Sequence, residues 1–129
     1  MHNDTTTERI IGAAIKVHTT IGAGCLESTY HACLAYQLRA DGLQFGHQVR
    51  LPITYRDVTL DAGYRIDFLV ENCVVVGLKA VEKLLPLHLA QVMTYLKLSG
   101  HHVGLLINFN VPHLRQGIRR VVNDYDEKV

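Results

Sequence analysis

The chain has 129 residues, a length that fits one domain with a buried core. Hydrophobic residues make up 48% of it and charged residues 19%, which is typical of a folded globular protein and excludes a disordered one. Because 13 Lys and Arg face 12 Asp and Glu, the formal charge is +1, and no strong overall field attracts nucleic acid.

Two helices are predicted in the first third of the chain. One runs from about Thr6 to Thr20, before Gly22-Ala23-Gly24 interrupts the pattern, and the other from about Glu27 to Ala40. We expect a single domain over residues 1–129, with residues 1–5 and 124–129 as loose termini.

After the second helix, the hydrophobic pattern changes from the helical period to the alternation that is typical of strands. Short strands are predicted at Gln48–Tyr55 and Val58–Leu60, followed by a well-alternating strand at Tyr64–Val70 whose even-numbered residues share one face. The segment Cys73–Ala80 is nearly all apolar, which indicates a central strand covered on both faces.

The last third predicts a helix, a strand and an ambiguous segment. The helix runs from about Leu87 to Ser99, after Pro86, and the strand spans Val103–Asn108. The segment Gly117–Val122 fits either a last strand or a short helix. This order of elements predicts one α/β sandwich.

No apolar run approaches the roughly 20 residues of a membrane span, and the first nine residues are too polar for a signal segment. The three cysteines (Cys25, Cys33 and Cys73) form no CxxC pair. We therefore expect a cytoplasmic protein with reduced thiols and no membrane partner.

Lys79 is the most informative single residue, because it ends the apolar run Val74–Lys79. Lysine is rarely buried without a partner, so a lysine inside a central strand needs a carboxylate or a substrate phosphate. If the strand ends at Leu78, the lysine instead lies at the rim with its ammonium in water. Asp67, one strand earlier, is either a site residue or an ordinary solvent-facing residue.

The loop between these two strands decides whether Asp67 and Lys79 share a face. A two- or four-residue turn leaves Lys79 on the face away from Asp67. A three-residue loop at 71–73 places Asp67 opposite Gly77 and Arg65 opposite Lys79, with all four on one face. We predict the three-residue loop, because only that register builds a site.

Two helices carry further candidates. Glu27 and Tyr30 lie on one helical face, so the Glu27 carboxylate either points at the sheet or complements the helix dipole. Gln91 and Tyr95 are four residues apart on the third helix. They either pack against the sheet or present an amide and a phenol to a metal or a DNA phosphate.

Together these segments resemble the PD-(D/E)XK nuclease-like superfamily and, more closely, the small GxxExxY protein family. The naming motif stands here as Gly24-Cys25-Leu26-Glu27-Ser28-Thr29-Tyr30, and the similarity continues through Leu60–Asp67, Leu78–Leu84, Gln91 with Tyr95, and Gly104–Pro112. It covers about residues 8 to 123. The resemblance implies a PD-(D/E)XK nuclease-like sandwich with a central mixed β-sheet flanked by helices, as an αβββαβ core with an extra N-terminal helix.

The resemblance also implies roles for individual residues. Glu27, Asp67 and Lys79 would be catalytic, with Mg²⁺ or Mn²⁺ held by the two carboxylates and the Leu78 backbone carbonyl. Lys79 would orient the attacking water or the phosphate. The substrate-binding or site-supporting residues would be Tyr30, Gln91 and Tyr95.

Gly77 departs from the family pattern, which has glutamate at this position. Losing a ligand that also positions the water should reduce catalysis heavily, although Mg²⁺ can bind through one or two carboxylates. The predicted helix Leu87–Ser99 contains no Asp or Glu that replaces it. The sequence leaves two explanations open: a degenerate member of the family, or an altered position.

Three functions follow as alternatives. The first is a metal-dependent nuclease or phosphodiesterase acting on nucleic acid, weakened or inactivated at Gly77. The second is an inactive nuclease-fold module that binds nucleic acid or a protein partner, and the near-neutral charge favours a protein. The third is a homodimer formed through exposed strand edges.

Overall fold

A computed structural model describes residues 3–123 of the chain. The helices are α1 (Asn3–Ile21), α2 (Glu27–Ala40) and α3 (Pro86–Ser99), with a 3₁₀ turn at Leu114–Gly117. The strands are β1 (Phe45–Arg50), β2 (Ile53–Tyr55), β3 (Val58–Leu60), β4 (Arg65–Val70), β5 (Val74–Lys79), β6 (Val103–Asn108) and β7 (Ile118–Val122).

Five strands form one mixed sheet in the order β1-β4-β5-β6-β7. Strands β5 and β6 are parallel and are joined by α3, whereas the other neighbours are antiparallel. The apolar run of β5 lies at the centre, where every residue except Lys79 is buried. Helices α1 and α2 cover one face of the sheet and α3 covers the other. The predicted sandwich with a central mixed sheet is confirmed.

The register between β4 and β5 is the predicted one. Val70 pairs with Val74 and Phe68 with Val76, which leaves a three-residue loop at 71–73. Two loop residues adopt left-handed backbone conformations, and the N–H of the third donates to the Val70 carbonyl at 3.0 Å. Continuing this register by one pair sets Asp67 opposite Gly77.

The predicted alternation of β4 is wrong at one point. Phe68 and Val70 pack in the cluster beneath α1 and α2, but Tyr64 and Ile66 pack in the cluster beneath α3. The change of face occurs across Asp67, where the pairing with β5 ends. Strand β1 is distorted at the same level, because Gln48 has φ 57°.

This change of face also corrects the predicted position of Arg65. Because Tyr64 and Ile66 face α3, alternation along the strand directs Arg65 to the opposite face. Lys79 lines a cavity with residues of α3. Arg65 therefore does not share a face with Lys79.

The structure corrects two predicted elements and decides the type of a third. The segment expected as one strand over Gln48–Tyr55 is divided between β1 and β2. The break lies at Pro52, which has no N–H to donate, and at Leu51, whose N–H donates to the Tyr64 carbonyl. Helix α1 begins at Asn3, so residues 3–5 are helical rather than loose, and 1–2 and 124–129 lie outside the described residues. The ambiguous C-terminal segment is the strand β7.

Within residues 3–123, no helix has both the length and the apolarity that crossing a membrane requires.

Candidate functional site

Strands β4 and β5 separate at Asp67, and we call this point, between Asp67 and Leu78, the fork. The Asp67 Oδ2 atom accepts the N–H of Leu78 at 2.8 Å, in place of a backbone ladder bond. The carboxylate is partly buried, with 24% of its side chain exposed. It lies between the two helical layers, because it approaches His31 of α2 and its charge also acts on Tyr95 of α3.

The glycine-containing loop before α2 is held by Tyr30. Its hydroxyl donates to the Gly22 carbonyl at 2.6 Å and accepts the Cys25 N–H at 3.2 Å. Gly24 has φ 92°, a conformation that favours glycine, and its N–H donates to Asn110 at 3.1 Å. The tyrosine is fully buried, and its burial raises the pKa of the phenol. Tyr30 therefore supports the start of α2 and has no exposed surface for a substrate.

Glu27 is the first residue of α2, and its carboxylate faces His31 one turn later. Its Oε2 atom lies 3.7 Å from His31 Nε2, and Asp67 Oδ2 lies 3.9 Å from the same nitrogen. The histidine is 8% exposed, whereas 45% of the Glu27 side chain is exposed. A single buried imidazole therefore stands between the two predicted carboxylates.

His47 of β1 fixes the orientation of that imidazole. Its Nε2 atom lies 2.9 Å from His31 Nδ1, and its ring stacks on Phe68 with centroids 4.3 Å apart. Partial burial lowers the pKa of His47, the charge of His31 lowers it further, and Asp67 partly offsets both. The neutral form of His47 is therefore favoured.

Lys79 ends β5 at a rigid junction with β6. Its carbonyl accepts the Phe109 N–H at 2.9 Å. The buried side chain of Asn108 accepts the Val81 N–H at 3.0 Å and donates to the Val81 carbonyl at 2.9 Å. These bonds fix the backbone on both sides of Lys79.

A cavity of about 400 Å³ lies between the end of β5 and α3, and we call it the α3 cavity. Its lining consists of Tyr64, Lys79, Leu87, His88, Ala90, Gln91 and Thr94. Tyr95 makes an edge contact with Tyr64 at 5.9 Å. Burial raises the pKa of Tyr95, and Asp67 and then Tyr64 raise it further, so the phenol stays protonated.

A larger cavity of about 530 Å³ lies between the end of α1 and the loop that follows β6. None of the predicted site residues lines it. We therefore place the candidate site at the fork and the α3 cavity rather than in this larger cavity.

Gly77, where the resemblance predicts glutamate, faces α3. A β-carbon built on it would lie 3.4 Å from a Val92 methyl and 3.6 Å from a Leu106 methyl, which is ordinary van der Waals contact. Its φ is not in the left-handed region. The backbone conformation therefore does not require glycine here, and the space beside Gly77 admits a β-carbon.

The possible metal ligands at the fork are few for a divalent cation. Among residues 3–123, no group of three His, Cys, Asp or Glu side chains could hold a metal ion. One Asp67 oxygen already accepts the Leu78 N–H, and both Asp67 and Glu27 face an imidazole. Because Mg²⁺ keeps several waters and can bind through one or two carboxylates, these residues suit a mostly hydrated ion.

The structure thus brings Asp67 and Leu78 together at the fork and places Glu27 beyond His31 on the α2 side, with Lys79 and Gln91 in the α3 cavity. Sequence reasoning missed His31, His47 and Tyr64 as neighbours of this site. His31 follows Glu27 by four residues, so helical spacing could have identified it. No local signal identifies His47, because its contact with α2 depends on tertiary packing.

The sequence model of one family, described as the PD-(D/E)XK nuclease superfamily, matches residues 4–121. No curated protein and no solved structure shows a significant match.

Proposed function

Because the chain belongs to the PD-(D/E)XK nuclease superfamily, we propose that it binds nucleic acid at the fork and the α3 cavity. We also propose that its metal-dependent cleavage of phosphodiester bonds is reduced to a residual rate by Gly77. One arrangement supports both parts: Asp67 at the fork and Lys79 in the adjoining cavity flank a glycine that carries no carboxylate. The motif Gly24–Tyr30 further supports membership of the GxxExxY family.

In this proposal, the side chains around Lys79 bind the substrate. Lys79 donates hydrogen bonds to a phosphate oxygen or to the attacking water. Gln91 lines the same cavity and donates its amide, while the protonated Tyr95 supports the ring of Tyr64. Asn108 and Phe109 fix the backbone around Lys79, so its side chain starts from a defined point beside the cavity.

The carboxylates form the other half of the proposed mechanism. Asp67 and Glu27, with the Leu78 carbonyl, would hold Mg²⁺ or Mn²⁺, which when bound lowers the pKa of water and neutralises phosphate charge. The Leu78 N–H fixes one Asp67 oxygen, and His31 lies close to both carboxylates. The bond from Leu78 orients the Asp67 carboxylate before any ligand arrives.

A cleavage assay tests this proposal. Single- and double-stranded DNA and RNA are incubated with the chain, with Mg²⁺ or Mn²⁺, and with EDTA as a control. We expect a slow, metal-dependent rate that Gly77→Glu raises about 100-fold, equivalent to about 2.7 kcal/mol of transition-state stabilisation. The double variant Gly77→Glu with Asp67→Asn should lose this gain. No cleavage by Gly77→Glu on any substrate would contradict the enzymatic part.

A second candidate function is a binding module without turnover. The lack of any group of three metal-binding side chains among residues 3–123 favours it. This function predicts affinity for nucleic acid that falls with salt and persists in EDTA, or a stable protein partner. Size-exclusion chromatography measures the molecular mass of the chain in solution and so distinguishes these outcomes from a homodimer.

The cytoplasmic location stays a prediction.

A further inference from the structure

The α3 cavity combines three kinds of group that bind parts of a nucleotide. Lys79 supplies a cation for a phosphate, Gln91 an amide for a base edge, and Tyr64 an aromatic ring for stacking. The volume of about 400 Å³ is within the range of cavities that hold one small ligand. Leu87, 74% exposed, adds an apolar rim.

Tyr64 is held firmly enough to act as a stacking surface. Its carbonyl accepts the Leu51 N–H at 3.1 Å and an Arg65 guanidinium N–H at 3.1 Å. Its ring makes an edge contact with Tyr95 at 5.9 Å. These contacts restrict the backbone and the ring, so stacking a base on Tyr64 costs little additional conformational entropy.

On these observations, we infer that the α3 cavity receives one unpaired nucleotide, whose base stacks on Tyr64 while its phosphate contacts Lys79. A base inside a duplex is already paired and stacked, so it enters a concave cavity only after it has been unstacked. The chain therefore prefers single strands or unpaired ends to duplex. This inference rests on the proposed binding of nucleic acid and names its substrate class.

Equilibrium binding tests the inference without any need for turnover. Fluorescence anisotropy in EDTA compares a labelled single strand of 12 nucleotides, its duplex, and the same strand with abasic sites. We expect the single strand to bind about tenfold more tightly than either the duplex or the abasic strand. Equal affinity for all three would overturn the inference, and these measurements use the unaltered chain alone.

Tyr64 variants provide the second test. Tyr64→Phe keeps the ring and should keep the preference, whereas Tyr64→Leu should weaken single-strand binding about tenfold and leave duplex binding unchanged. Tyr55→Leu is the matched control, because Tyr55 is an exposed tyrosine on the β2–β3 hairpin and outside the cavity. Unchanged single-strand affinity in Tyr64→Leu would overturn the inference.

The two proposals fail in different ways. If neither strand form binds in a salt-dependent manner, the proposed binding of nucleic acid is wrong, and the inference falls with it. If both forms bind equally and Lys79→Met weakens both, the proposed binding stands and only the role of Tyr64 is wrong.

Discussion

The carboxylate of Asp67 accepts the backbone N–H of Leu78 at 2.8 Å. Asp67 directly precedes Phe68, which forms the last recorded pair of β4 with β5. A side chain therefore replaces a ladder bond at the point where the central strands part. The same contact satisfies an unpaired donor and orients a predicted site residue, so stability and function are coupled at Asp67.

This coupling gives a first prediction. Asp67→Ala should lower the free energy of unfolding by about 1–3 kcal/mol, because the Leu78 N–H loses its acceptor. Asp67→Asn keeps an amide oxygen and should cost less, although it removes the charge. Urea denaturation measures both variants, with Asp57→Ala in the exposed turn before β3 as a control. Equal losses for Ala and Asn would contradict the role of the hydrogen bond.

The second prediction concerns the buried hydroxyl of Tyr30. Tyr30→Phe removes the bonds to the Gly22 carbonyl and the Cys25 N–H while keeping the stacking on Phe109. We expect a loss of about 1–2 kcal/mol and faster amide exchange in the loop before α2. Tyr36→Phe, at a tyrosine that is 70% exposed, should change neither quantity. Undisturbed exchange at Cys25 would count against the supporting role.

Gly77 of β5 and Gly117 of the 3₁₀ turn before β7 make a matched pair for the third prediction. A β-carbon at Gly77 meets only ordinary contacts, but one at Gly117 would clash with the carbonyl oxygen of Asn108. Gly77→Ala should therefore leave stability within about 1 kcal/mol, whereas Gly117→Ala should cost about 3 kcal/mol or more, because overpacking forces the backbone to move. Thermal unfolding measures both, and a Gly77→Ala variant as unstable as Gly117→Ala would be inconsistent with the space at Gly77.

The fourth prediction is a dependence of stability on pH. Burial lowers the pKa of His47 and of His101 below the ordinary histidine value, and a neighbouring histidine lowers each further. The unfolded chain therefore binds protons at a higher pH than the folded chain. Stability should accordingly fall as the pH decreases from about 6.5 towards the folded pKa values.

Urea denaturation at several pH values between about 7.5 and about 5 should show this decline, beginning near the ordinary pKa of histidine. The double variant His47→Gln with His101→Gln should flatten the profile in that window. His113→Gln is a suitable control, because His113 is exposed in the loop after β6. A profile that is flat or rises towards acid pH in the unaltered chain would contradict the prediction.

The sequence by itself determined most of the fold. The apolar run of β5 predicted a central strand, and the need to bring Asp67 towards Lys79 predicted the three-residue loop that the pairing of Val70 with Val74 confirms. The loop length followed from the requirement that Asp67 and Lys79 share a face, whereas the apolar run is a local pattern of residues close together in the chain. The helices were predicted for the same reason, with errors of a few residues at their ends.

Tertiary structure alone decided which side chains surround Asp67. The change of face in β4 and the contact between His31 and His47 join residues that are distant in the sequence. No periodicity encodes such contacts, since they depend on how α2 crosses the sheet and where the ladder between β4 and β5 ends. The candidates Glu27, Asp67 and Lys79 were readable from the chain, and packing set their geometry and their neighbours.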